Sequence, residues 1–85
     1  MADETVGRRL REYVAEEVRV SMARRRVTGV WLASAIGRSQ AYMSRRLTGE
    51  TAMDIDDLER IAEALGVPVT DLLPRDVRSR GVTHG

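Results

Sequence analysis

Helix-breaking residues divide this chain into five short segments, and this division constrains the fold more than any other feature of the sequence. Glycine or proline follows four of the apolar segments, at Gly37, Gly49, Gly66 and Pro74. Glycine commonly ends a helix, and proline cannot continue one. Three segments begin at a small polar residue, at Thr28, Ser39 and Asp54. Such residues can accept the unpaired N–H groups at the start of a helix.

The apolar periodicity within each segment predicts an all-α fold, a compact bundle of five helices. We expect helices near residues 5–26, 29–36, 39–47, 54–65 and 69–73, and no strand within residues 28–73. The first helix is predicted to be extended, because residues 8–26 contain neither proline nor glycine. We expect its early apolar residues Val6, Leu10 and Tyr13 to pack against Trp31 or a second subunit.

Length and composition limit the classes of protein open to this chain. Its 85 residues allow one domain, predicted over residues 1–74, and a flexible polar tail over residues 75–85. The absence of Cys excludes disulfides. With His84 as the one histidine, we expect no metal site and no cofactor. No nucleophile and base pair is recognisable, so an enzyme is not expected. Without a signal peptide or a long apolar run, the expected location is the cytoplasm of a bacterial or phage-infected host cell, with no membrane partner.

Charge is segregated along the chain, although the net charge is only +1. Residues 18–49 contain seven arginines and no acid, whereas residues 50–73 contain seven acids and one arginine. A clustered basic segment in a nearly neutral chain is typical of a protein that binds a polyanion. The alternative is a solvated basic face, and charge alone does not decide between them. Arg24, Arg25 and Arg26 can equally well serve to offset the dipole at the end of the first helix.

The stretch Gly29–Leu47 satisfies the physical needs of two short helices that cross closely around a tight turn. Ala33 supplies the small residue at the crossing, and Gly37 supplies a turn residue that tolerates positive φ. Leu32, Ile36 and Met43 are spaced to seal the inner faces, and Met43 is expected in the core rather than in a binding site. The second helix would then project its polar residues outward.

This pattern resembles the lambda-repressor and Cro-like helix-turn-helix family, often called XRE-like. The resemblance covers roughly residues 18–73 and includes the downstream run Ile55–Val67 and the motif Asp71–Leu73. It implies a five-helix DNA-binding domain with the helix-turn-helix at residues 29–47 and with helix 39–47 in the major groove of double-stranded DNA. The sequence departs from the family pattern at Gly29, where a glutamine is common, and at Arg46, where an apolar residue is usual.

Ten positions are predicted to contact DNA. The resemblance implies this role for eight of them, namely Thr28, Ser39, Gln40, Ala41, Tyr42, Ser44, Arg45 and Thr48, and Arg38 and Arg46 are added because they lie toward the flanks of the same helix. Base edges are expected to meet Gln40 and Ala41, and one turn later Ser44 and Arg45. The remaining six positions are expected to hold phosphates. The side-chain chemistry agrees, because Gln pairs well with adenine, Arg with guanine and an Ala methyl group with the thymine methyl.

The fourth helix is predicted to have one apolar face and one polar face. Its spacing places Ile55, Leu58, Ile61, Ala62 and Leu65 on the apolar face. The acids at Asp56, Asp57, Glu59 and Glu63 are interpreted as a solvated polar face, not as a catalytic cluster.

The function predicted from these features is transcriptional regulation, as a phage-type repressor that acts by occluding an operator. No room remains for a small-molecule sensor, so no such ligand is expected. Family members commonly bind as two-fold pairs, and we expect a weak homodimer that is completed on DNA. Three alternatives stay open: an antitoxin that binds a toxin protein, a DNA-architectural or excision accessory factor, and a protein-binding module anchored by Trp31.

Overall fold

The computed structural model describes the backbone of residues 2–74 and the side chains of residues 9–74, so the predicted tail at 75–85 lies outside the described residues. Four α-helices span Ala2–Arg25 (α1), Gly29–Ala35 (α2), Gln40–Leu47 (α3) and Ile55–Leu65 (α4), and a 3₁₀-helix spans Val69–Leu72. No strand occurs between residues 2 and 74, which confirms the all-α prediction. No helix in this range is long and apolar enough to cross a membrane.

The fifth helix, predicted near residues 69–73, is a 3₁₀-helix over Val69–Leu72. Its hydrogen bonds join residues three apart, from Asp71 N to Pro68 O at 3.0 Å and from Leu73 N to Thr70 O at 3.2 Å. Pro68 opens it and Pro74 follows soon after, so the segment is too short for a turn that needs bonds between residues four apart. Leu72 is nevertheless buried, and the element closes one side of the core.

The three predicted capping residues determine where α2, α3 and α4 begin. The Thr28 hydroxyl accepts a hydrogen bond from the backbone N of Trp31 at 3.0 Å. The equivalent bond to Ser39 comes from Tyr42 N at 3.1 Å, and the bond to the Asp54 carboxylate comes from Asp57 N at 2.9 Å. Each bond satisfies one of the unpaired N–H groups of the first turn. These caps confirm the predicted starts of the three helices to within one residue.

The core lies where all four α-helices meet. Its fully covered large side chains come from every element, namely Val18 of α1, Leu32 of α2, Met43 of α3, Ile61 and Leu65 of α4, and Leu72 of the 3₁₀-helix. Burial of each such side chain stabilises the fold by about 1.5–3 kcal/mol. Because helices as short as α2 and α3 are unstable alone, this shared core is what holds them in a fixed orientation.

The first helix is anchored to the body along its C-terminal two thirds. The Arg19 guanidinium donates to the carbonyl of Leu47 at the end of α3, and Arg25 donates to the carbonyl of Gly66 at 3.5 Å. Gly49 approaches so closely that a Cβ atom there would lie 3.1 Å from the Glu12 Cα. The helix covers nearly all of the predicted span and begins earlier, at Ala2. That it is longer than in the family stays a prediction.

The early apolar residues Leu10 and Tyr13 are only partly covered by the described part of the chain. Leu10 is 42% exposed, Tyr13 38% and Trp31 45%. The side chain of Val6 lies outside the described residues. Leu10 lies one turn before Val14, where the face that the core covers ends, and Tyr13 lies on the neighbouring face.

Four described residues have a left-handed backbone, and one of the four is not glycine. Gly37 has a φ of 73°, as predicted for the turn between α2 and α3. Arg26 has a φ of 57°, the one positive value for a non-glycine residue among the described residues. Hydrogen bonds from Val27 N to Met22 O and from Arg26 N to Ala23 O, both 3.1 Å, form the usual closing motif of a helix around it.

We expect Arg26→Gly to stabilise the protein by about 0.5–1 kcal/mol. The left-handed backbone costs a side-chain-bearing residue about 1–2 kcal/mol, and the greater freedom of glycine in the unfolded chain cancels part of the gain. Urea unfolding followed by circular dichroism measures the change. The matched control is Arg24→Gly, which removes the same charge from a right-handed helical position and should destabilise by up to about 1 kcal/mol. Equal destabilisation by both variants would contradict the strain at Arg26.

Candidate nucleic-acid interface

The helix-turn-helix unit has the geometry that the sequence predicts. Ala33 is 2% exposed and lies in the close crossing of α2 with α3. The turn is closed by a bond of 2.8 Å from Arg38 N to Ala33 O. Leu32, Ile36 and Met43 are buried, as expected. Because Met43 points into the core, the opposite side of α3 faces away from the protein.

The outward side of α3 carries the four predicted base-contacting residues, namely Gln40, Ala41, Ser44 and Arg45. All four are exposed. Among residues 9–74, none of their side chains takes part in a hydrogen bond or an ion pair. We name these four residues the reading row. Their side chains are available to an external partner without any loss of internal contacts.

An open groove of about 620 Å³ runs beside the reading row. Gln40 and Ser44 form one wall, and Arg19, Gly29 and Val30 form the other. A Cβ atom at Gly29 would lie 3.2 Å from Leu47 Cδ1, so glycine lets the start of α2 approach the end of α3. The groove therefore joins the N-terminus of α2 to the reading row in one continuous surface.

Three of the predicted phosphate-contacting hydroxyls lie at helix ends. Thr28 and Ser39 are exposed N-caps, and each retains its own hydroxyl proton for a further acceptor. Thr48 is exposed at the C-terminal end of α3, where its hydroxyl donates to Arg45 O at 3.0 Å and accepts from Glu50 N at 3.3 Å. The first two combine a hydroxyl with the N-terminus of a helix, an arrangement suited to phosphate oxygens.

A buried carboxylate lies on the other side of α3. Asp57 of α4 is 1% exposed. Its Oδ1 accepts from Nε of Arg38 at 3.1 Å and from Nη2 at 3.0 Å, and its Oδ2 accepts from the Tyr42 hydroxyl. Nη1 of Arg60 lies 3.7 Å from Oδ1. The four residues form one polar network, which we name the Asp57 network, and it joins the turn, α3 and α4.

A guanidinium–aromatic stack extends this network. The Cζ atoms of Arg38 and Arg46 lie 4.7 Å and 3.5 Å from the centroid of the Tyr42 ring. Arg46 also donates from Nη1 to the carbonyl of Tyr42 at 3.1 Å. Its Nε is buried and has no hydrogen-bond partner among the described residues. Position 46, which is usually apolar in the family, thus carries an arginine whose guanidinium lies over the Tyr42 ring.

The interpretation of Asp57 as part of a solvated face was wrong. Asp57, Ile61 and Leu65 follow one another at intervals of four residues, so they share the buried face of α4. Conversely, Ile55, predicted on the apolar face, is 74% exposed. The spacing from Ile61 and Leu65 back to Asp57 was the available signal, but a single carboxylate on an apolar face needs donors that only the folded α3 supplies.

The structure gives Arg38, Tyr42 and Arg46 contacts within the protein, whereas the sequence predicted that these residues hold phosphates. Arg38 and Tyr42 are bonded to Asp57, and Arg46 is packed on Tyr42. Arg38 and Tyr42 therefore hold the turn and α3 against α4, and Arg46 supports Tyr42 from within α3. The Arg38 side chain stays 36% exposed, so a contact with a phosphate is still sterically open to it.

The pKa of Asp57 is lowered by its partners. Burial of the carboxylate alone would raise the pKa, but hydrogen bonds from Tyr42 and Arg38 outweigh this effect and favour the charged form. The hydrogen bond to Asp57, with burial second, raises the pKa of Tyr42, so the phenol keeps its proton. The hydrogen bond to the same carboxylate raises the pKa of Arg38. At neutral pH the network is a carboxylate held by a cation and a neutral phenol.

We expect Asp57→Ala to lower the free energy of unfolding by about 1–3 kcal/mol, because Tyr42 and Arg38 lose a charged acceptor in a partly buried place. The matched control is Asp56→Ala, one residue earlier in the same first turn of α4. Asp56 is exposed, so its loss should change stability by no more than about 0.5 kcal/mol. Urea unfolding measures both variants. Similar losses of stability in the two variants would show that Asp57 stabilises the protein through the helix dipole and not through the network.

The acid side of the stability curve should depend on Asp57. Its folded pKa lies below the unfolded value of about 3.9, so its stabilisation is present above that pH and is lost as the pH falls through the folded pKa. We therefore expect Asp57→Asn to be less stable than the unaltered chain at pH 7 and to lose less stability between about pH 4 and pH 2. Thermal unfolding at a series of pH values tests this, and parallel acid limbs for the two proteins would contradict it.

The comparisons with known proteins agree with this geometry. No curated protein sequence matches the chain. Two crystal structures of the clp gene regulator ClgR from Corynebacterium glutamicum are similar to it. One is 31% identical with a TM-score of 0.69, over 73% of this chain and 80% of that chain. The other is 28% identical with a TM-score of 0.73, over 87% and 79%. The hypothetical transcription factor NHTF from Neisseria is 26% identical with a TM-score of 0.72, over 84% and 83%.

A family model described as a helix-turn-helix domain matches residues 5–74. The match includes nearly all of α1 and the whole of α2, α3, α4 and the 3₁₀-helix, and with them the reading row and the Asp57 network. The chain therefore belongs to the helix-turn-helix domain family, of the XRE-like kind that its sequence resembles.

Proposed function

We propose that this chain is a transcriptional regulator that binds double-stranded DNA sequence-specifically, with α3 in the major groove. The observation that carries the proposal is the reading row, four exposed side chains with no internal bonds among the described residues. The likeness to ClgR and NHTF, which are named as a gene regulator and a hypothetical transcription factor, supports the same conclusion.

The row fits base edges in the major groove. Gln40 and Arg45 are five residues apart, and each can form two hydrogen bonds with one base, Gln with adenine and Arg with guanine. Ala41 lies between them and can contact a thymine methyl group, and Ser44 can donate or accept. A helix the length of α3 spans about 12 Å, enough for a few successive base pairs.

Electrostatics favour the same face. Of the seven arginines in residues 18–49, ion pairs among the described residues use Arg38 alone. Arg19 borders the groove and Arg45 stands in the reading row. A positive surface that is not neutralised internally attracts the phosphate backbone and gives an affinity that falls steeply with salt. Phosphates are then held by the Thr28 and Ser39 caps, by Thr48, and by Arg38 and Arg46 at the flanks, with Tyr42 beside them.

We further propose that regulation is repression of the phage type, in which the bound protein occludes an operator or promoter. Two copies on half-sites about one helical turn apart would cover a longer stretch of DNA than one copy. A second candidate function is an antitoxin, in which the same fold also binds a toxin protein. The exposure of Val30 at 56% and Trp31 at 45%, adjacent on α2, favours a protein partner there. Co-purification of a neighbouring gene product would distinguish the two.

We expect Gln40→Ala and Arg45→Ala each to weaken binding to the specific duplex by about 1–3 kcal/mol and to relax preference at one base position. The specific site is first selected from random duplex DNA, and binding curves on that site and on a scrambled duplex are then compared at several salt concentrations. The control is Arg24→Ala, which removes a charge outside α3. Any effect of this control should be equal on both duplexes and should lower the salt slope by no more than about 0.9.

Equal losses on the specific and scrambled duplexes for Gln40→Ala and Arg45→Ala would contradict base reading by α3. That outcome would favour a DNA-architectural or excision factor, which binds DNA with little discrimination. No measurable affinity of the unaltered chain for either duplex at low salt would contradict DNA binding altogether.

A further inference from the structure

A second apolar stripe runs along α1, beside the face that packs on the core. It contains Leu10, Tyr13 and Val20, which are 42%, 38% and 37% exposed. Together with the half-buried Glu17 they follow spacings of three, four and three residues. This alternation keeps a stripe facing one partner helix along its length, as in paired helices. No other described element covers these side chains fully.

The charges beside the stripe indicate which helix could cover it. Arg9 and Glu16 are exposed and lie seven residues apart on the same edge of the stripe. If a second α1 packed antiparallel with Leu10 against Tyr13 of the second copy, Arg9 of each copy would approach Glu16 of the other. A two-fold axis repeats the contact, so both pairs have opposite charges. A parallel pair in register would instead place the edges that carry Arg9 and Glu16 on opposite sides of the seam, so these charges would not pair.

Such a pair would leave α3 accessible, because α3 lies against the far side of α1. Glu12 and Arg19 contact the loop after α3 and the end of α3, at Gly49 and Leu47. At about 100° per residue, these two positions lie roughly 130° around the helix axis from the stripe. The reading row therefore belongs to the opposite flank of each copy.

We propose that the apolar stripe of α1 binds the same stripe of a second copy of this chain, with the two helices antiparallel. The inference deepens the two-copy arrangement of the proposed function by naming its surface, and it rests on that function only for its role on DNA. In this register Leu10 and Tyr13 are the stripe residues of each copy that meet the partner's stripe. Two half-exposed apolar side chains per copy supply less than the roughly 1,200–2,000 Å² of a standard interface, so the dissociation constant of the pair lies above about 1 μM. DNA then completes the pairing by holding two copies on adjacent half-sites.

The test uses the full chain without DNA, in sedimentation equilibrium from about 1 μM to several hundred μM. The unaltered protein should pass from monomer to dimer in this range. Arg9→Glu and Glu16→Arg each place like charges across the pair, and each should weaken association by about fivefold or more. Circular dichroism establishes that both variants are folded.

An equimolar mixture of the two single variants gives the sharpest readout. In the mixed pair, the carboxylate introduced at position 9 of one copy would face the guanidinium introduced at position 16 of the other. The native Glu16 of the first copy would still face the native Arg9 of the second. Association of the mixture should therefore recover towards that of the unaltered protein, which no contact within one chain can produce. Gln40→Ala, outside the stripe, should associate like the unaltered protein.

A chain that stays monomeric throughout the range would overturn the proposal. So would a mixture that associates no better than the single variants. Because association is measured without DNA, its failure leaves the DNA-binding proposal standing. Conversely, a chain that dimerises but binds no duplex would refute the proposed function and leave this interface intact.

Discussion

The contact of the Asp57 carboxylate with Arg38 and Tyr42 is the constraint on which the orientation of α3 depends. An eight-residue helix has no stability of its own, and the apolar contacts that Met43 and Leu47 make with the core still leave it some freedom to rotate about its axis. Hydrogen bonds from the turn and from α3 to one buried carboxylate on α4 remove that freedom. The direction in which the reading row points is therefore set by a residue that lies outside the helix-turn-helix unit.

The Asp57 network also joins the two oppositely charged segments of the chain in the folded protein. The basic segment at 18–49 and the acidic segment at 50–73 fold against each other, yet only Arg38 crosses between them in an ion pair among the described residues. Most of the positive charge is thus not paired with an acid among the described residues. The acids Asp56, Glu59 and Glu63 of α4 remain exposed on a different face. Basic and acidic residues are therefore separated on the surface as they are along the sequence, and the Asp57 carboxylate joins the two segments.

Local signals predicted the fold well, and long-range contacts were what they missed. The caps at Thr28, Ser39 and Asp54 and the turn at Gly37 depend on a few neighbouring atoms, so residue type and spacing were sufficient. The burial of Asp57 depends on donors that lie 15 and 19 residues away in the sequence. Whether Leu10 and Tyr13 pack on Trp31 or on a second subunit was left open by the sequence for a similar reason, because periodicity identifies apolar faces but does not say what covers them.

Separation of the reading row from the Asp57 network makes the proposed recognition surface modular. Gln40, Ala41, Ser44 and Arg45 have no side-chain partner among the described residues, whereas Arg38, Tyr42 and Arg46 on the same unit do. A combinatorial library confined to those four positions could therefore search for new target sequences while every member keeps the same scaffold. Within residues 38–46, the four residues of the reading row can therefore vary, whereas Arg38, Tyr42 and Arg46 cannot.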